Sequence, residues 1–410
     1  MQDVKLFTQL LGIAAPWSVE SVDFDKDSGE VRIRVSMSRE GLVCPECGEK
    51  CRGYDKEVRE WRHLPTFQYK TVIVAEVPRV ECEKHGVHRV KVPWAEPNSR
   101  FTVLMERMVI DMHKEIMCIS SVAKLAGITY SEAEGIIGRA VNRGLSRRVK
   151  RQVFNIGFDE KAHKKGHSYL TIVHDKGSGN VLHVSLNRDT AAVDEFYDQW
   201  GERLRKLRSV TMDLWKPFIE GARRHLDYAD DKICFDKFHV MSFFGDAVNE
   251  VRKQEHAALS KKGNDSLKGT KFAWLYNARN IDGRSRRWFH ELLGKGLKTA
   301  RAWSIKELAG SLWDYVSPTW TEKAWKKLLG WMDRSRLEPM KKLSKTIKSH
   351  FHGIMNAVRL KTDNADAESI NSRIERIKNR ACGFRNVQNF VNAIYFHLGG
   401  LDLYPALPTR

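Results

Sequence analysis

Two stretches of this chain alternate apolar and polar residues with a period of two, and most of the remainder repeats every three to four. Residues 3–13 have the spacing of a short amphipathic helix. VESVDFDKDSGEVRIRVSM predicts a hairpin, with Asp27, Ser28 and Gly29 in the turn. Alternation resumes from Trp61 to Val92 and stops at Pro93 and Pro97. From Phe101 to Arg143 the spacing is helical. There Ala123, Gly127 and a helix start at Thr129–Ser131 predict a helix-turn-helix, a small residue where two helices touch followed by glycine at the turn. RGLSRRVKR at 143–151 reads as a basic linker.

Residues 152–239 switch back and forth between the two periods. FNIGFDE, HSYLTIVHD, VLHVSLN, SVTMDLW and KICFDKFH read as strands, with KGSGN turning between the second and third. Thr190 is expected to cap a helix whose apolar face is Val193, Phe196, Tyr197, Trp200, Leu204 and Leu207. Three antiparallel strands followed by helix, strand, helix and strand is the order of a ribonuclease-H-like α/β domain. From about 240 to 350 the chain is helical and rich in tryptophan and lysine. Val240, Phe244, Ala247, Val248 and Val251 form one apolar face, Trp325, Leu328, Leu329 and Met332 another, and 260–271 reads as a loop. The expected organisation is a first module at 1–97 and a helix-turn-helix at 98–150. The α/β core follows at 151–240, an all-α insertion at 241–350, and the final helices of the core at 351–410.

Charge narrows the partners. Seventy Lys and Arg against 51 Asp and Glu give a formal charge of +19 and a pI near 9.6. A long polyanion is the natural partner, and double-stranded DNA is expected. No segment reaches the roughly 20 apolar residues that span a bilayer. The N-terminus lacks a basic region and cleavage site, so a cytoplasmic location is expected. Seven cysteines, an odd number, fit a reducing compartment and metal binding better than a disulfide scaffold.

Against this basic background three acids stand out: Asp159 in FNIGFDEKA, Asp213 in SVTMDLW and Glu368 in DNADAESINSRIERIK. A charge inside an apolar strand is costly unless it has a task. Two Mg²⁺ (or Mn²⁺) ions about 3.5–4 Å apart would serve phosphodiester cleavage, and hard cations take carboxylate oxygens. Asp159 is the expected bridging ligand, Asp213 and Glu368 completing one ion each. Glu368 lies off the Ile370, Ile374, Ile377 and Ala381 stripe, with Asp363 and Asp366 as neighbouring alternatives.

The chain resembles the DDE transposases of bacterial insertion sequences, most closely the ISL3 group. The likeness rests on CPECG, the helix-turn-helix, GFDEKAHKKGHSYLTIV, VTMDLWKPF, ICFDKFHV and AESINSRIERIKNRACGFRNVQNF. It implies that Asp159, Asp213 and Glu368, 54 and 155 residues apart, form the catalytic triad. It also implies an aspartate and histidine after the second acid, here Asp236 and His239. His239 could hydrogen-bond the scissile phosphate, or it could order the strand end. A further implication is a homodimer or higher oligomer on DNA, since two element ends are handled together.

Cys44 and Cys47 have knuckle spacing, and Cys82 with His85 would complete a structural Cys₃His zinc site. The family usually has a second cysteine pair here, so His88 and Cys51 stand as alternatives to His85. DNA contacts are expected from Tyr130, Ser131 and Glu132 on the second helix of the helix-turn-helix. Further contacts are expected from Arg147, Arg148, Lys150, Arg151, Arg376, Lys378, Arg380 and Arg385, and from KKLSKTIK at 341–348. Trp274, Trp288 and Trp303 either stack on distorted DNA or fill the insertion's core. The implied activity is transposition: recognition of terminal inverted repeats, hydrolysis to free 3′-OH ends, and their joining to target DNA. A non-catalytic DNA-binding regulator and a nuclease that never joins are the rivals.

Overall fold

The computed structural model describes residues 2–164, 168–187, 189–281, 283–362 and 365–407. The chain divides into two compact units, Met1–Val149 with Glu375–Arg410, and Lys150–Ile374.

The first unit opens with α1 (Gln2–Leu11), β1 (Trp17–Asp25), β2 (Glu30–Met37), β3 (Arg52–Thr66), β4 (Tyr69–Cys82) and β5 (Gly86–Arg89). The strands run in the order β1-β2-β4-β3, with β5 on β4. β2 and β4 pair in parallel; the other pairs are antiparallel. Gly29, at φ +64°, turns the β1–β2 hairpin where the sequence places it. Trp17 and Trp61 meet the edge of Trp94 at 4.9 and 5.4 Å, over fully buried Ile33 and Ile73. β3 begins nine residues before Trp61. Its first half is exposed on both faces, so no alternation marks it; the ladder to β4, from Arg52↔Glu81 onward, draws it out.

Next come α2 (Val103–Ile116), α3 (Ile119–Ala126) and α4 (Tyr130–Arg147). Gly127 ends α3 at φ +63°, where a side chain would be strained. Thr129 and Glu132 exchange hydrogen bonds in a capping box that starts α4. α4 runs on to Arg147, so half of the stretch read as a linker is helix. The reason is Arg143, buried and ion-paired to both Glu96 and Glu106.

The second unit begins with β6 (Asn155–Lys164), β7 (Ser168–Asp175), β8 (Val181–Ser185), α5 (Thr190–Trp200) and β9 (Ser209–Met212). α6 (Lys216–His225), α7 (Ala229–Lys232) and β10 (Ile233–Phe235) follow. The sheet order is β10-β9-β6-β7-β8. β6, β7 and β8 are antiparallel neighbours, while β9 runs parallel to β6 and β10 parallel to β9. Asp189, not Thr190, caps α5: its carboxylate accepts from the Ala192 N–H at 3.0 Å. The six apolar positions expected to face the core are all buried.

Helices then dominate: α8 (Lys237–Ser260), α9 (Lys271–Leu275), α10 (Gly283–Leu293), α11 (Lys298–Leu312), α12 (Pro318–Arg334), α13 (Glu338–Ser349) and α14 (Phe351–Arg359). Their core is continuous with that of the sheet and takes in Trp274, Trp303 and Trp325. Trp274 and Trp303 are therefore core residues; Trp288 is exposed. α14 lies so close to β10 that a Cβ at Gly353 would sit 2.4 Å from the Phe235 ring. Asn356 donates to the Ile233 carbonyl at 2.9 Å, holding β10 from the same helix.

The chain ends with α15 (Ala365–Arg380), in which the division between units falls, and α16 (Val387–Leu398). The sequence reading assigns all of 351–410 to the catalytic core. By contacts, Glu375–Arg410 belongs with the N-terminal unit, because the apolar face of α16 packs on α4 and its Phe396 ring meets His113 at 4.7 Å. Burial pushes His113 down to about 3, and the charge of half-buried His397 adds to it. The neutral ring is the stable form, so this contribution is complete above the unfolded pKa of about 6.5 and is lost as pH falls toward 3. At pH 5, His113 alone should remove about 2 kcal/mol from the unit's stability. Urea unfolding at pH 7 and pH 5 should reveal the loss, and His113→Phe should shrink it; equal pH dependence in both proteins would refute the assignment.

Candidate active site and zinc centre

Cys44, Cys47, Cys82 and His85 converge, all four ligand atoms lying within 4.8 Å of one another. Cys47 Sγ is 3.8 Å from Cys82 Sγ, and His85 Nδ1 is 3.7 Å from Cys44 Sγ and 3.6 Å from Cys82 Sγ. A tetrahedral zinc with bonds of about 2.3 Å to sulfur and 2.0–2.1 Å to nitrogen requires separations of about 3.8 and 3.6 Å. The cluster fits that ion. Gly48 and Gly86, at φ +72° and +76°, follow the second ligand of each half-site and turn the chain back in the left-handed region. The Cys47 backbone N–H holds the Cys44 thiol below its ordinary pKa against the cost of burial, which favours thiolate. The two alternatives stand outside this group of four: Cys51 Sγ, beside Cys82, contacts the Glu49 carbonyl, and His88 Nε2 lies 2.7 Å from the His85 carbonyl.

The acids are brought together by strand register. Gly157 of β6 pairs with Thr211 of β9, and Thr211 pairs with Cys234 of β10. Two residues beyond each lie Asp159, Asp213 and Asp236. The three carboxylates are thus level across three adjacent strands. All line one cavity of about 460 Å³, together with His239, Asn371 and Lys176. Asp213, Asp236 and His239 form a second group able to hold a metal ion.

Each side chain is held. His239 Nε2 lies 2.9 Å from Asp213 and 4.0 Å from Asp236. Asp236 caps α8 by accepting from the Phe238 N–H. Asp159 accepts from the Glu160 N–H at 2.7 Å and from the Asn371 side chain. Burial raises Asp159 to about 7, and the charge of Asp213 contributes. Burial opposes charge on His239, but the Asp213 hydrogen bond, with Asp236 and Asp159 behind it, holds its pKa above the usual value.

Glu368 is on α15, three residues before Asn371, and its side chain lies outside the described residues, as do those of Asp363 and Asp366. Asp236 was singled out in the sequence only through the family resemblance, and Asn371 was not singled out at all. Asp236 had a signal, an acid directly after the apolar run ICF. For Asn371 the signal was an asparagine following the predicted third acid. Asn371→Ala would leave Asp159 short of a donor and should lower catalysis about 10–100-fold, with DNA binding in gel shift unchanged; an unaltered rate would remove Asn371 from the site.

A model of transposases matches residues 156–394 of the chain, more than half its length. The zinc finger of transposase IS204/IS1001/IS1096/IS1165 matches residues 41–85, and the helix-turn-helix domain of transposase family ISL3 matches residues 90–141. The chain belongs to the ISL3 family of transposases. Among its relatives is the transposase for insertion sequence element IS1001 of Bordetella parapertussis, 24% identical over 95% of this chain and 97% of the relative. Another, for element IS1557 of Mycobacterium tuberculosis, is 26% identical over 100% and 98%. The Drosophila P element transposase strand transfer complex superposes over 74% of this chain and 93% of its own, with 8% identity and a TM-score of 0.37, too slight a likeness to carry an argument.

In this ISL3 member the helix-turn-helix presents Tyr130 and Ser131 at the exposed start of α4. The Glu132 carboxylate is taken up in the capping box. Two arginines expected at DNA have partners within the chain, Arg147 while still exposed. Arg147 donates to the Tyr404 carbonyl at 2.7 Å and pairs with Asp402, and Arg148 donates to the Gly399 carbonyl at 2.7 Å. They fasten the C-terminal segment, whose free carbonyls need donors. Lys150 donates to the Gln199 carbonyl. Arg151, Arg376, Arg380 and Arg385 are exposed, and Lys378 is half-buried. Among the described residues, no helix is long and apolar enough to cross a membrane.

Proposed function

We propose that this transposase binds the terminal inverted repeats of its insertion sequence, hydrolyses the phosphodiester at each end to give a 3′-OH, and joins those ends to target DNA by transesterification. The chemistry is assigned to a ribonuclease-H-like core, Lys150–Ile374, interrupted by an all-α insertion after β10. The observation that carries this reading is the level row of Asp159, Asp213 and Asp236 across β6, β9 and β10, with His239 against Asp213.

Asp159, Asp213 and Glu368 would hold Mg²⁺ or Mn²⁺, with Asp236 as a further oxygen donor. The oxygen-rich donor set suits a hard cation, and a buried carboxylate as reluctant to ionise as Asp159 gains from a neighbouring positive charge. Bound there, divalent cations supply an activated oxygen nucleophile and a stabilised leaving oxygen. The chain's own groups prepare the site. Asn371 and the Glu160 N–H fix both oxygens of Asp159, and His239 fixes Asp213 and donates toward a phosphate in the cavity. Exposed Tyr130, Ser131, Arg376, Arg380 and Arg385 contact the duplex, at least two protomers act together on paired ends, and the protein works in the cytoplasm at the nucleoid.

Incubation with end DNA and Mg²⁺ or Mn²⁺, resolved on a denaturing gel, should give cut ends and then joined products. Cutting without joining would reduce the protein to a nuclease. Specific binding with neither reaction would reduce it to a regulator.

A further inference from the structure

Beside the acid cavity lies a larger one, about 750 Å³, within the same unit. Its walls are mostly apolar: Phe238, Met241, Trp313, Tyr315 and Val316, with Ala357 and Val358 of α14. Arg279 and Lys361 also line it, as does the ion pair of Lys237 with Asp314, 3.3 Å apart. Phe238 lines both cavities, and its ring centre is 6.0 Å from that of His239. Phe238, 66% exposed, is the residue common to the two linings.

Exposure of this kind is costly in water. Phe238, Tyr315 and Val316 all remain substantially open at one place, and clustered apolar exposure marks a binding surface. The cavity is of ligand-binding size, within the range of about 300–1,000 Å³. Its chemistry is that of a nucleotide: flat apolar faces for a base and cations for a phosphate. A base still in its duplex cannot reach such a wall; a base swung out of the stack can.

We propose that this cavity receives a nucleobase unstacked from the DNA strand whose phosphate lies at the acid row, with Phe238 and Tyr315 as its stacking partners and Arg279 and Lys361 around the adjoining phosphates. The proposal rests on the transposase reading of the acid cavity. Extraction of one base there bends the strand and turns the neighbouring phosphate toward Asp159 and Asp213.

The test uses the full chain, duplexes of the element's own terminal sequence, and a scan in which one nucleotide beside the cut is made abasic. Phe238 and Tyr315 both lie on the surface, so the double variant Phe238→Ala/Tyr315→Ala should fold with an unchanged melting temperature. It should cut the intact duplex about 10-fold more slowly, and one abasic position should restore the parental rate, because no base then needs a place. Parental cutting by the double variant, or no abasic position that rescues it, would overturn the proposal. Anisotropy titrations of the same duplexes in the absence of metal give a readout independent of cutting. The double variant should bind the intact duplex more weakly and the rescuing abasic duplex as the parent does; equal affinities throughout would overturn the proposal. That binding pattern without any cutting by the parent would uphold the cavity and sink the transposase reading.

Discussion

Asp159→Asn is expected to abolish end cutting and joining together, by on the order of 10³-fold or more, since even one preorganised charge-stabilising group is worth about 10²–10³. The substitution keeps the shape of the side chain and removes its charge. The new amide oxygen can still accept from the Glu160 N–H, and Asn371 must turn its own amide so that its oxygen accepts from the new NH2, which keeps the helix against the strand. The carboxylate is 7% exposed and reluctant to ionise. Its replacement by a neutral amide should leave the melting temperature unchanged or raise it, the reverse of what a structural ion pair would give. Gel-shift affinity for end DNA should be retained. Cutting that persists in Asp159→Asn would remove the acid row from the mechanism.

Loss of zinc is expected to unfold the N-terminal module while sparing the catalytic unit. The four ligands come from two half-sites separated by the whole of β3 and most of β4, so the ion closes a long loop. Structural zinc contributes about 10–16 kcal/mol of apparent binding free energy in finger peptides, more than the whole stability of many domains. Cys82→Ala should reduce metal content from one zinc per chain to none, erase one thermal transition and abolish binding to end DNA. Lys150–Ile374 should keep its own transition. A parent protein purified without zinc, or a Cys82→Ala protein that melts as the parent does, would contradict the site.

Local signals accounted for most elements. The turn at Gly29, the αL stop at Gly127 and the capping pair Thr129 and Glu132 are short-range devices that act where their residues predict, while α5 ends at Trp200, before Leu204 and Leu207 of its expected face. Misreadings occurred where tertiary contact overruled the local pattern. The first half of β3 has no apolar alternation and exists because β4 offers it a ladder. The basic residues at 143–148 look like a solvated linker, yet Arg143, Arg147 and Arg148 find carboxylates and carbonyls from distant segments. Pairings at such separation leave no trace in a window of neighbouring residues.

The candidate sites divide in the same way. Residue type and spacing alone marked the candidate zinc half-sites, because two cysteines separated by two residues form a ready thiolate pair for a metal. They marked Asp159 and Asp213 too, as charges set against apolar strands. That His85, rather than His88 or Cys51, closes the cluster with Cys44, Cys47 and Cys82, and that Asp236 stands level with Asp159 and Asp213, were decided by tertiary structure. Register between parallel strands is a property of hydrogen-bonded neighbours far apart in the chain, and a carboxylate acquires its altered proton affinity only once the fold has removed its water and set a second negative charge beside it.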